Sequence, residues 1–159
     1  MKALMIGVRK SYALLAILIL LCDRVTKMWA LHACVTPYLV NTWLSCSLAF
    51  NRGISWSFFH AESPYVFALV TALVLLVTVL VARHGWQGFI EGRAITGEVL
   101  VVAGAFSNVY DRFAYGGVID FIALEYHGYC WPLFNIADIA VVVGVFLMMY
   151  ESIVSEVNA

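Results

Sequence analysis

The sequence predicts an all-α membrane protein: four bilayer-crossing helices with a small β-element on their outer face. Three observations carry that expectation. Of 159 residues, 64% are hydrophobic and 12% are charged, against about 25% charged in a soluble domain. That leaves too little polar surface to coat a water-soluble globule. Four apolar stretches each approach the ~20 residues needed to cross ~30 Å of hydrocarbon. Between them lie two longer segments rich in turn and β-forming residues. One membrane domain, residues 1–159, accounts for the whole length.

The first stretch runs from about residue 11 to 30 and is interrupted by Asp23, Arg24 and Lys27. Its basic start and "LILLC" (Leu18 to Cys22) are similar to a lipoprotein signal peptide. Leu21 is bulky where cleavage needs a small residue, so a retained helix is expected. The second stretch, 64–82, carries no charge. The third, 94–110, has Glu98 in its first turns, where a carboxylate complements the helix dipole. The fourth is 133–150. Backbone polar groups have no partners in lipid, so helices are the economical reading for all four.

Outer loops are expected at about 31–63 and 111–132. In the first, "ISWSFF" (Ile54 to Phe59) alternates in the manner of a short surface strand. In the second, "VIDFIALEY" follows Gly116-Gly117 and places Asp120 on a strand. Lys2, Arg9, Lys10, Arg83 and Arg93 sit in plain helix flanks and mark the cytoplasmic side, with both termini. Trp29, Trp43, Trp56 and Trp131 then fall near the outer interface. Net charge is −1 with no basic run, which gives no reason to expect nucleic acid. The four cysteines form no C-x-x-C or zinc spacing. Cys34 and Cys46 could pair in an oxidising compartment, but the expected reading is four unpaired, small apolar side chains.

The polar residues converge. Asp23 and Lys27 share a face near the outer end of the first helix. Asn108, Asp111 and Arg112 lie at i, i+3, i+4 at the outer end of the third. Asn135 and Asp138 lie at i, i+3 at the start of the fourth, and Asn51 and Asp120 sit in the loops above. Charge in a bilayer costs several kcal/mol unless paired or hydrated. Matching Lys27 and Arg24 to Asp23, and Arg112 to Asp111, leaves Asp120 and Asp138 without a counter-ion. Two carboxylates ~4 Å apart repel by about 4 kcal/mol at an effective dielectric near 20. Such a pair holds one proton between them. One member can draw a proton from water while the other polarises a carbonyl and protonates the leaving amine. Asn135 would orient Asp138 or the substrate carbonyl, and Asn108 would serve the same shell.

At these residues the chain resembles lipoprotein signal peptidase, or signal peptidase II, a bacterial inner-membrane aspartyl protease family. "DRVTK" (Asp23 to Lys27) matches its D-x-x-T-K. "NRGISWSF" (Asn51 to Phe58) resembles its N-x-G motif, "NVYDRFAYGGVIDF" (Asn108 to Phe121) its N-x-x-D-R and V-x-D-F, and "FNIAD" (Phe134 to Asp138) its F-N-x-A-D. Ser107 stands where the family usually has glycine, and Ala103 replaces the first of two usual glycines. The resemblance implies catalytic Asp120 and Asp138, supported by Asp23, Lys27, Asn51, Gly53, Asn108, Asp111, Arg112 and Asn135. It implies a lipid-modified prolipoprotein substrate, cut before the diacylglyceryl cysteine, and a surface β-cradle with a mobile outer loop. It implies no cofactor and no metal, membrane lipid as the surroundings, a monomer, and an active site near the periplasmic face.

Two other classes fit the composition. A transporter or ion relay would continue its polar groups across the membrane, but the inner halves of the third and fourth helices hold only Glu98. A thiol-oxidising membrane protein would need a C-x-x-C. A non-catalytic lipoprotein-binding relative is a third alternative. Lys27 is more simply a salt-bridge partner than a base, and His127 reads as a solvated loop residue.

Overall fold

The computed structural model describes residues 2–53 and 63–157, with side chains within 10–53 and 63–154. The expected strand at Ile54 to Phe59, and Trp56 with it, lies outside the described residues. The element order is α1 (Lys2–Ala33), β1 (Tyr38–Leu39), β2 (Leu44–Asn51), α2 (Pro64–Ile90), α3 (Thr96–Tyr115), β3 (Val118–Tyr126), β4 (Tyr129–Cys130) and α4 (Ile136–Val157).

All four expected helices form, with shifted ends. Helix α1 starts well before residue 11: its basic N-terminal segment holds no proline, and its one glycine, Gly7, weakens a helix without ending it. Helix α2 runs eight residues past 82, since Arg83, His84 and Gln87 are polar yet helix-compatible. It stops at a glycine. Gly92 is left-handed (φ 78°), Arg93 N–H donates to the Gly88 carbonyl at 2.8 Å, and Gly92 N–H donates to Phe89 at 3.2 Å. This is a Schellman ending. Helix α3 passes 110 to end at left-handed Gly116, which keeps Asp111 and Arg112 helical. Helix α4 begins three residues later than expected.

Two helices, α2 and α4, are long and apolar enough to cross a membrane by length and composition. The outward face of α1 exposes Leu14, Leu18, Leu21 and Val25, while its Asp23 and Lys27 are fully buried. Apolar side chains outside and charges inside is the arrangement lipid demands. Helix α3 lies centrally, packed on α1, α2 and α4. Its seam with α4 is built on glycine: a Cβ at Gly104 would strike the Ala137 carbonyl, and one at Gly144 the Gly97 carbonyl. Small residues let these backbones approach closely.

The four strands form one antiparallel sheet in the order β1-β2-β3-β4. The sequence reading located β3 but missed β1, β2 and β4. Strand β2 pairs with β3 so that Ala49 faces Asp120 and Asn51 faces Val118, with a register shift between Cys46 and Ala49. His127 (φ 49°) and Gly128 (φ 81°) make the two-residue turn between β3 and β4, the doubly left-handed turn that matches strand twist. Cys34 and Cys46 form a disulfide, which overturns the expectation of four unpaired thiols. The bond ties the end of α1 to β2, and Ala30, Cys34, Cys46 and Phe121 form one buried cluster.

Candidate active site

The polar faces of α1, α3 and α4 meet beneath the sheet. Lys27 is fully buried and uses its three donors on three acceptors. These are Asp23 Oδ2 at 2.8 Å, Asp111 Oδ2 at 2.7 Å and Asn108 Oδ1 at 2.8 Å. Arg24 pairs with Asp111 at 2.6 Å, more closely than with Asp23 at 3.4 Å, and its guanidinium lies over the Tyr110 ring. Asp23 also accepts the Ala137 N–H at 2.9 Å and the Ser107 hydroxyl at 2.5 Å. Asp111 accepts the Ile119 N–H at 3.3 Å. Two aspartates and two cations thus join the ends of α1 and α3 to the starts of α4 and β3. A buried charge is tolerable only with this degree of pairing.

One sequence-level match fails. Arg112 does not pair with Asp111. It donates to the Gly53 carbonyl at 2.5 Å and the Arg52 carbonyl at 3.4 Å, and it lies over the Phe67 ring beside Arg52. Arg24, from the next helix, takes Asp111 instead. Arg112 is left to anchor the chain just after β2, including Gly53.

Asp120 and Asp138 stand apart from this ion network. No ion pair reaches either one among the described residues. They are held by neutral amides. Asp120 accepts Asn135 Nδ2 at 2.7 Å on one oxygen and Asn51 Nδ2 at 3.0 Å on the other. Asp138 accepts Asn108 Nδ2 at 2.8 Å and the Asn135 backbone N–H at 3.1 Å. Asn135 therefore bonds both carboxylates. The orientation of Asn108 is imposed from behind: its oxygen faces Lys27 and the Asn135 amide, so only its NH₂ can face Asp138.

Asp120 is 2% exposed, and its pKa is pushed up to about 7. Burial is the main cause, followed by the charge of Asp138, while hydrogen bonds from Asn51 and Asn135 pull the other way. Both aspartates line one cavity of about 320 Å³, with Asn51, Gly53, Asn108 and Arg112 on its polar side and Val74 and Val77 of α2 opposite. Such a site can hold one proton between two carboxylates, admit water, and present an apolar wall to an extended segment. Among the described residues, no three His, Cys, Asp or Glu side chains converge in a way that could hold a metal.

The structure therefore brings all ten candidate residues into or against one site. Sequence reasoning gave Ser107 and Arg24 too little weight. Ser107 lies on α3 one residue before Asn108, and a hydroxyl beside a polar helix face is a signal for a buried acceptor nearby.

A sequence profile described as signal peptidase (SPase) II matches residues 15–154. The lipoprotein signal peptidase of Dichelobacter nodosus is 36% identical over 148 residues, covering 89% of this chain and 92% of that protein. That of Nitrobacter hamburgensis is 34% identical over 157 residues, covering 90% and 92%. A solved structure described as a bacterial membrane enzyme, determined in meso at 2.3 Å, superposes with a TM-score of 0.75 at 24% identity, covering 94% of this chain and 91% of that one. A second, at 1.9 Å, gives 0.69 at 26% identity. With the profile spanning residues 15–154, and with relatives this similar over about nine-tenths of their own length, the chain belongs to the signal peptidase II family.

Proposed function

We propose that this signal peptidase II protein is an aspartyl endopeptidase that removes the signal peptide from diacylglyceryl-modified prolipoproteins, cutting before the lipidated cysteine. The observation that carries the reading is the Asn135 bridge: one residue bonds two carboxylates that have no ion-pair partner among the described residues and that open onto one cavity.

The reaction follows from the charge state. Near neutral pH the pair holds a single proton. The ionised member takes a proton from a water, whose oxygen then attacks the scissile carbonyl. The protonated member hydrogen-bonds to the carbonyl oxygen as negative charge develops there. The tetrahedral intermediate collapses when the leaving nitrogen receives a proton from the pair, which returns the dyad to its starting state. Asn51, Asn108 and Asn135 fix both carboxylates before substrate arrives. The ion network of Asp23, Arg24, Lys27 and Asp111 holds the three helix ends in place.

In this reading all four helices cross the cytoplasmic membrane, both termini are cytoplasmic, and the aspartates lie near the periplasmic face. The sheet receives the substrate as a cradle. The exposed Trp29, Trp43 and Trp131 side chains support an interfacial position for that end.

The test uses purified protein in detergent with a synthetic precursor, with and without diacylglyceryl on the cysteine. Mass spectrometry should show one cut, immediately before that cysteine, in the acylated precursor only. Uncut acylated precursor, or a cut elsewhere, would refute the assignment.

A further inference from the structure

Ten residues before Asn108 along α3, about 15 Å by helical rise, sits a second buried carboxylate that the proposed reaction does not use. Glu98 is 2% exposed. Its Oε1 lies 3.4 Å from His84 Nε2 and 3.9 Å from Arg93 Nη1. Its Oε2 is buried and has no hydrogen-bond partner among the described residues. An orphaned carboxylate oxygen is costly to bury.

Glu98 lines two cavities. One, about 550 Å³, is an apolar trough between α1, α2 and α3, walled by Ala16, Leu20, Trp86, Phe89, Val102 and Phe106. The other, about 820 Å³, is bordered by the polar His84, Arg93, Glu151 and Ser152 and by Met148, Met149 and Tyr150 of α4. Two glycines of α2 make room for the charged pair. A Cβ at Gly85 would strike Glu98, and one at Gly88 would strike Arg93. Glu91, Glu98 and Glu151 place three carboxylates near Arg93.

We propose that this end of the molecule holds a membrane phospholipid with a primary-amine headgroup: its ammonium on Glu98 Oε2, its phosphate toward Arg93, and one acyl chain in the apolar trough. The local partners select this occupant. An anionic lipid without an ammonium would satisfy Arg93 but bring no cation to Glu98 Oε2. A quaternary amine carries no N–H to give to Oε2. A zwitterion with a primary ammonium satisfies Arg93 and Glu98 together.

The probe is native mass spectrometry of the delipidated protein offered equal amounts of phosphatidylethanolamine, phosphatidylcholine and phosphatidylglycerol with identical acyl chains. Wild type should retain the ethanolamine lipid about tenfold over the other two, the scale of one charge-assisted hydrogen bond. Glu98→Gln should abolish the preference, and Ala16→Phe, which fills the trough, should lower retention of all three. Equal retention of the three lipids by wild type overturns the proposal, and that arm decides even if Glu98→Gln fails to fold. A preference that survives Glu98→Gln, or retention unchanged by Ala16→Phe, also overturns it. None of these readouts depends on peptide cleavage.

Discussion

Asn135 and Asp138 cap each other. The Asn135 side-chain oxygen accepts the Asp138 N–H at 2.9 Å, and the Asp138 carboxylate accepts the Asn135 N–H at 3.1 Å. This is the reciprocal geometry of a capping box at the first turn of α4. A helix N-terminus with unsatisfied donors thereby fixes the rotamer of an aspartate assigned to chemistry, and the remaining amide of Asn135 reaches across to the other aspartate.

Replacing Asn135 therefore separates two effects. Asn135→Ala removes the cap, worth about 1 kcal/mol, and the donor to Asp120. Cleavage should fall by at least about 100-fold, with only a modest drop in melting temperature in detergent. A drop in activity no larger than the drop in folded fraction would make Asn135 a structural cap alone.

Asp120→Asn and Asp138→Asn should each abolish cleavage, about 10,000-fold or more, while the protein still inserts and purifies. Substantial turnover by either variant would remove that aspartate from the reaction.

The pH dependence of stability has a definite sign. Asp120 has a folded-state pKa of about 7, above the ordinary aspartate value of 3.8. Between those values the folded state binds the proton and the unfolded state does not. Stability is therefore fully present below about pH 4 and is lost as pH rises toward 7. The difference in melting temperature between wild type and Asp120→Asn should shift against wild type over that window. A pH-independent difference would place the Asp120 proton elsewhere.

The same proton governs the rate. Cleavage needs one protonated carboxylate, so kcat/KM should turn down above about pH 7. Rates measured from pH 5 to 9 with the acylated precursor should show that limb. A profile flat through pH 9 would contradict a shared proton.

Lys27 neutralises Asp23 and Asp111 from complete burial. Lys27→Met leaves Asp111 and Asp23 with Arg24 alone and should destabilise by about 3–5 kcal/mol, read as denaturant resistance in detergent. It also frees Asn108 to rotate away from Asp138. Any folded fraction should therefore turn over more slowly per molecule than wild type.

The Cys34–Cys46 disulfide closes a 12-residue separation. Replacing both cysteines with Ala should cost about 3 kcal/mol and loosen β2, the strand that carries Asn51. Replacing the exposed, free Cys22 and Cys130 should change neither stability nor rate.

Much of this molecule was legible in its residues. The four helices follow from apolar length, and the shared depth of Asp23, Asn108, Asp111, Asn135 and Asp138 follows from 3.6-residue periodicity. Gly116-Gly117 before a β-rich run placed Asp120 on a strand. These are local properties, set by backbone sterics and by what lipid excludes, and one segment carries them by itself. The helix ends were less legible, because Arg83, His84 and Gln87 are polar but do not break a helix; only the left-handed Gly92 does.

Partner choice belonged to the tertiary structure. Sequence proximity matched Arg112 to Asp111, yet Arg24 on another helix lies closer to that carboxylate, and Arg112 turns to the Gly53 carbonyl. Residue spacing could not show that Cys34 and Cys46 would come within bonding distance, because that depends on where β2 crosses the end of α1. Nor could it show the amide of Asn135 reaching Asp120. The sequence by itself determined that costly polar groups would gather at one end of an apolar bundle. Which cation paired with which carboxylate, and which amides held Asp120 and Asp138, was decided only when the chain closed, because ion pairs and hydrogen bonds depend on distances of a few ångströms between segments far apart in sequence.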